Sequence, residues 1–117
     1  MHQSRPYVVP IDTTVFWTTS LRGGLIWGSS NYCEMLGRPL ERLTGFGVHD
    51  FYPAADLRVV ERSHIYALMN GEAVEGQARV LARDGHFYKI AWRKVPRFVN
   101  FQVVDFRVTG VIYGREI

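Results

Sequence analysis

Few residues in this chain have side chains suited to chemistry, and His64 is the first to weigh. It falls within "LRVVERSHIYALMNG" (57–71). Helical turning of ~100° per residue places Leu57, Val60, His64 and Leu68 on one face, with Arg58 and Arg62 on another. An imidazole on such a face can bond quietly inside a core. It can also hydrogen-bond a ligand as donor and acceptor, or hold haem iron from an axial position. A haem needs small residues around it, and Trp27, Phe51, Tyr88 and Trp92 are large enough to fill that space themselves.

The remaining reactive groups form no recognisable catalytic set. Cys33 is the sole cysteine, so no internal disulfide forms, and a small buried thiol is the expectation. His49 and Asp50 are adjacent, so their side chains diverge on any regular element and suit a loop cap. Asp56 and Glu61 share no helix face. Zinc spacing and a phosphate-cradling glycine loop are both missing, and Ser29, Ser30 and Ser63 have no evident base. No enzymatic activity and no metal are expected.

Composition narrows the partners. The chain has 117 residues, enough for one domain with one modest core, and 47% hydrophobic content argues against disorder. The 14 Lys and Arg are scattered among 11 acidic residues, so the net charge of +3 forms no basic tract for nucleic acid. No run of ~18 apolar residues spans a membrane, and the N-terminus lacks a signal-peptide core. A single cysteine fits a reducing compartment, so a cytoplasmic location is expected. The last residues, "VIYGREI", still read as strand, so a piece of a longer chain is expected.

The elements that must position His64 follow from pattern. Residues 1–12 carry Pro6 and Pro10 and read as a lead-in, leaving 13–117 as the domain. "TVFWTTS" and "LIWGS" read as strands joined by the "LRGG" turn. Asn31 and Glu34 suggest a capping box, with Gly37 ending that helix. Pro39 to Gly45 reads as a further helical turn, and 48–56 as a loop with Asp56 capping the long helix. After Gly71 the period becomes two: Val74, Gly76, Ala78, Val80 and Ala82 alternate with Glu75, Gln77, Arg79 and Arg83. Asp84–Gly85 signals a hairpin, and Tyr88, Ile90 and Trp92 share one side of the returning strand, which Pro96 should end. A last strand runs from Phe101, with a break expected at Gly110. An antiparallel sheet of about five strands, with short helices and one longer helix on one face, is the α+β architecture this order implies. A cleft between sheet and helices is its natural pocket. Met35, Leu36, Leu57, Val60, Leu68, Val80, Ile90 and Trp92 are its presumed lining.

The chain also resembles the PAS domain family over nearly its whole length. The similarity is carried by "VFWTTSLRGGLIWGSSNYCEMLGRPLERLTG", by "DFYPAAD", by "MNGEAVEGQARVLARDGHFYKIAWRKVP" and by "VTGVIYGREI". The resemblance implies a sensory or interaction module of a histidine kinase, a diguanylate cyclase or a transcription regulator. Such a module binds a small ligand between sheet and helices, homodimerises, or does both, and its signal leaves through the final strand toward an output domain. It implies pocket candidates Trp27, Met35, Leu36, Phe51, Leu57, Val60, His64, Leu68, Val80, Tyr88, Ile90 and Trp92. Haem-binding members place a histidine on the corresponding helix, which keeps His64 as a haem candidate. The flavin photosensors use an Asn-Cys-Arg-Phe-Leu-Gln stretch that "NYCEML" does not match. Haem and flavin are therefore not expected. The apolar "RFVNFQVVDFRV" departs from the family's short polar turn. It reads either as a strand pair packed on the core or as an exposed surface that meets a second subunit.

Overall fold

β-Branched and aromatic residues build the first hairpin, β1 (Thr14–Thr19) and β2 (Leu25–Gly28), in the computed structural model, which describes residues 9–116. Three helical segments follow: α1 (Ser30–Leu36), α2 (Leu40–Leu43) and a 3-10 turn (Gly47–Phe51). The longer α3 (Ala54–Asn70) leads into the meander β3 (Val74–Leu81), β4 (Phe87–Val99) and β5 (Gln102–Arg115). The sheet is antiparallel throughout, in the order β2-β1-β5-β4-β3, so the last strand in sequence is the middle strand in space. This is the five-stranded α+β architecture that the element order implied. Most of the lead-in, and the exit at Ile117, lie outside the described residues. Within the lead-in, Val9 is buried and Asp12 donates its N–H to the Ile112 carbonyl at 2.6 Å.

One face of the sheet meets the helical block. Val15, Trp17, Ile90, Trp92, Val108 and Ile112 from the strands pack with Tyr32, Met35, Leu36, Leu43, Val48 and Phe51. Gly110 does not break β5. It is a packing position, since a Cβ there would stand 2.6 Å from Ile90 Cδ1 and 2.8 Å from Trp17 Cζ3.

Local signals misread from the sequence have physical explanations. Ser29, not Asn31, is the N-cap of α1, and no side chain bonds the helix end. Asn31 instead donates to the Thr14 carbonyl at 2.8 Å and accepts from Ser29 Oγ at 2.6 Å, which fastens α1 to β1. Asp56 lies inside α3 rather than capping it. Its carboxylate accepts the Arg79 backbone N–H at 2.6 Å and pairs with the Arg79 guanidinium at 2.7 Å. β4 continues through Pro96 because its β3 neighbour ends at the Val74–Lys94 pair. Beyond Lys94 that edge is open, and a proline there withholds no ladder hydrogen bond.

From that point β4 and β5 run on as a two-stranded ribbon to a two-residue turn. Asn100 and Phe101 both hold positive φ, 50° and 66°, as a type I′ hairpin turn requires. The strand pair was expected from the pattern, but its packing on the core is partial. Phe106 is fully buried, whereas Phe98, Val99, Phe101 and Val104 are exposed, Phe101 completely.

Candidate functional site

Three elements converge on His64. The inward stripe of α3 is formed by Val60, His64 and Ala67, with Leu57 half-buried beside them. His64 itself is only 6% exposed. Its Nε2 lies 2.8 Å from the Leu21 carbonyl in the β1–β2 turn, and its Nδ1 lies 2.9 Å from Lys94 Nζ on β4. A carbonyl can only accept, so Nε2 carries the ring proton. Nδ1 is then a lone pair, and Lys94 donates to it. Lys94 thus favours the neutral ring, whereas the Leu21 carbonyl, which accepts from the protonated nitrogen, raises the pKa. Burial is the main cause that lowers the His64 pKa from its usual value, and the Lys94 charge adds to it.

Lys94 reaches this place by strand alternation. Tyr88, Ile90 and Trp92 point inward from β4, and Lys94 is the next residue of the same parity. It is 5% exposed, and burial lowers its pKa from 10.5 to about 8. The ammonium also stands 5.8 Å from the centroid of the Phe106 ring, which in turn meets the His64 imidazole edge-on at 4.8 Å. Lys94 is absent from the residues expected at the site because a charged side chain on a strand usually faces solvent. Its parity with Trp92 was the signal available.

Gly23 completes the arrangement from the β1–β2 turn. Its φ of 89° suits glycine, and an added Cβ would stand 3.3 Å from His64 Cδ2. The imidazole therefore lies close over bare backbone.

Around this cluster the structure is hollow. An inner cavity of about 30 Å³ is bounded by Trp17, Thr19, Val48, Tyr52, Trp92 and Val108, together with Gly23, His49, Val60 and Lys94. That is room for a single water. The last four residues also line a wider groove of about 280 Å³, which Arg22, Phe46, Glu61, His64 and Ile65 complete. Thr19 Oγ1 and Trp92 Nε1 are buried without a hydrogen-bond partner among the described residues, and both belong to residues of the inner wall.

The residues expected to line the cleft divide into three groups. Val60, His64 and Trp92 do line it. Met35, Leu36, Phe51, Val80, Tyr88 and Ile90 are buried in the core, and Leu57 is half-buried on α3. The Tyr88 hydroxyl donates to Asp84 and accepts from the Val9 N–H. Trp27 and Leu68, in contrast, face solvent at 48% and 39% exposure. A register shift between Thr18 and Thr19 turns both Ile26 and Trp27 of β2 outward. On α3 the buried face centres on Val60 and Ala67, and Leu68 is ~100° away from Ala67.

Other chemistry fits this site poorly. Both His64 nitrogens are engaged, so neither offers a free lone pair to haem iron, and the groove is small for a macrocycle. Cys33 lies on α1 beside a separate surface depression, its thiol 3.9 Å from the Gly28 carbonyl. His49 Nδ1 faces Glu61 at 4.0 Å across the groove rather than Asp50. Among the described residues no three of His, Cys, Asp and Glu converge to hold a metal.

Known proteins share this architecture. A PAS domain from Colwellia psychrerythraea is 24% identical with a TM-score of 0.73, over 86% of each chain. The PAS domain of the Cronobacter turicensis RpfR quorum-sensing receptor, solved in complex with BDSF, is 19% identical with a TM-score of 0.72, over 90% of this chain and 98% of that one. The Drosophila melanogaster Cycle PAS-B domain with bound ethylene glycol is 12% identical with a TM-score of 0.70, over 85% of this chain and 99% of that one. The sequence model described as the PAS fold matches residues 25–109, from the second strand of the hairpin to the centre of the sheet. With that match over most of its length, the chain belongs to the PAS fold family, whose members are sensory modules.

Proposed function

We propose that this domain is the input module of a cytoplasmic signalling protein and takes a small ligand into the cleft between α3 and the sheet. The observation that carries this reading is the inner wall: among the described residues Thr19 Oγ1 and Trp92 Nε1 are buried and unpartnered, and both residues line a cavity that shares Gly23, His49, Val60 and Lys94 with a groove. Buried polar groups are normally hydrogen-bonded, and an orphaned pair at a cavity suits a guest. The RpfR and Cycle domains, solved with BDSF and with ethylene glycol, support the same reading. A groove of about 280 Å³ lies just below the ~300–1,000 Å³ typical of ligand pockets, so the guest is small.

A bound molecule would act by favouring one of two arrangements of α3 against the sheet, through its different affinity for each. Arg79 joins Asp56 of α3 to Glu116 beyond β5, at 2.7 Å and 3.6 Å, and such a link would carry the bias toward an output domain. A histidine kinase, a diguanylate cyclase or a transcription regulator is the proposed host. Mass spectrometry of small molecules released on denaturation, with a visible spectrum of the same sample, tests the cleft reading. A released organic molecule whose re-addition raises the melting temperature is expected. Protein that releases nothing, and whose melting temperature no small acid or alcohol changes, would end it.

A second reading, a ligand-free homodimer, is favoured by the ribbon. Among the described residues both ribbon edges are unpaired beyond Lys94 and Phe106, and Phe98, Val99, Phe101 and Val104 are exposed along it. Sedimentation of the wild type against a Phe98→Asp/Phe101→Asp variant tests it. A dimer that the double substitution dissolves is expected on this reading, and a monomeric wild type removes it.

A further inference from the structure

We infer that the ligand is an anion, a small carboxylic acid whose carboxylate sits on Lys94 Nζ and whose apolar body lies in the groove along α3. The inference rests on the cleft reading and adds the chemical class of its guest. Lysine is almost never fully buried unless it is paired. An uncompensated ammonium inside a protein is strongly unfavourable, so buried charges normally meet an opposite charge. Lys94 is 5% exposed, yet among the described residues no carboxylate lies within ion-pair distance of its Nζ. Its polar partner is His64 Nδ1, a neutral acceptor that takes one of three N–H donors. The Phe106 ring face supplies a further weak attraction.

Two further donors stand on residues that line the same inner cavity as Lys94. Trp92 Nε1 can only donate, Thr19 Oγ1 is free to do so, and among the described residues neither has a partner. Lys94, Trp92 and Thr19 all border the inner cavity, and Lys94 also borders the groove. An acceptor-only group with two oxygens matches such a set, and a carboxylate is that group. An alcohol would add another donor and leave the ammonium charge uncompensated. The groove beyond is walled by Phe46, Val60 and Ile65, which suits an apolar body. At the rim Arg22 is cationic, while Glu61 is anionic and is turned toward His49 at 4.0 Å.

The test measures binding of hexanoate and octanoate against hexanol and octanol to the 117-residue chain by calorimetry, for wild type, Lys94→Met and Thr19→Val. Charge-assisted hydrogen bonds predict that the wild type binds each acid roughly tenfold or more tightly than its alcohol. Lys94→Met should abolish that preference while keeping affinity for the alcohols, and Thr19→Val, which changes one group on the wall, should weaken the acids alone. Wild type that binds acid and alcohol equally would overturn the carboxylate assignment and leave the cleft reading standing. So would a preference for acids that survives Lys94→Met. Failure of both acids and alcohols to bind would overturn the assignment together with the cleft.

Discussion

Lys94 Nζ donates to His64 Nδ1 across 2.9 Å, and the lysine stays buried there with no acid beside it among the described residues. Its protonation must therefore oppose folding. Burial holds the folded pKa at about 8 against 10.5 for the free side chain. A depressed pKa stabilises above the unfolded value and loses that contribution as pH falls through the folded one. Wild type should therefore gain roughly 3 kcal/mol relative to Lys94→Met as pH rises from about 8 to 10.5. Urea unfolding of both proteins across that range checks this. His49, Arg22 and Glu61 share the groove and are unchanged in both, so the difference isolates Lys94.

The imidazole gives the acid-side counterpart. Burial also depresses the His64 pKa below 6.5. Its neutral form stabilises the fold above that value, and the contribution is lost as pH falls through the folded pKa. His64→Gln should unfold with a shallower dependence on acid than wild type. Parallel slopes for the two proteins below neutral pH would contradict the lowered pKa of the buried ring.

Residues 67 and 68 of α3 should respond in opposite fashion to size. Ala67 is fully buried, and Ala67→Leu should cost about 1–3 kcal/mol by overpacking. Leu68 is 39% exposed, and Leu68→Ala should stay within about 0.5–1 kcal/mol of wild type. Thermal unfolding of the pair checks which residue the helix buries.

At the ribbon tip, Phe101 holds a φ of 66° with its side chain fully exposed. A left-handed conformation costs a bulky L-residue roughly 1–2 kcal/mol, which glycine avoids. Phe101→Gly should therefore raise the melting temperature of the isolated domain. An unchanged or lower value would show that the aromatic ring makes a compensating contact in solution.

Gly71 links that ribbon to the end of α3. Its φ is 62°, and an added Cβ would stand 3.3 Å from Phe98 Cζ. Gly71→Ala should destabilise by about 1–2 kcal/mol. Adding Phe98→Ala should recover only the steric part, and a double-mutant cycle on stability measures that share.

Much of this fold was legible because periodicity is a local property of the chain. Alternation after Gly71 revealed β3 and β4 and the inward side of Tyr88, Ile90 and Trp92. Helical spacing placed His64 inward. What the pattern could not carry was pairing at a distance. The central position of β5 depends on partners at both ends of the chain. The outward turn of Trp27 depends on a register shift where β2 pairs with β1. Asp56 looked like a helix cap because its partner Arg79 is 23 residues away. The site was half legible for the same reason. His64 announced itself on an apolar face, but Leu21 offers only a backbone carbonyl, and Lys94 wore the charge that usually marks a wet surface.

The bare backbone at Gly23 has a mechanical result. With no side chain between them, the hairpin loop and the long helix touch ring to peptide and are bonded there through the Leu21 carbonyl. A single methyl group inserted at that spot would press on the imidazole and force the loop or the helix to give by a few tenths of an ångström.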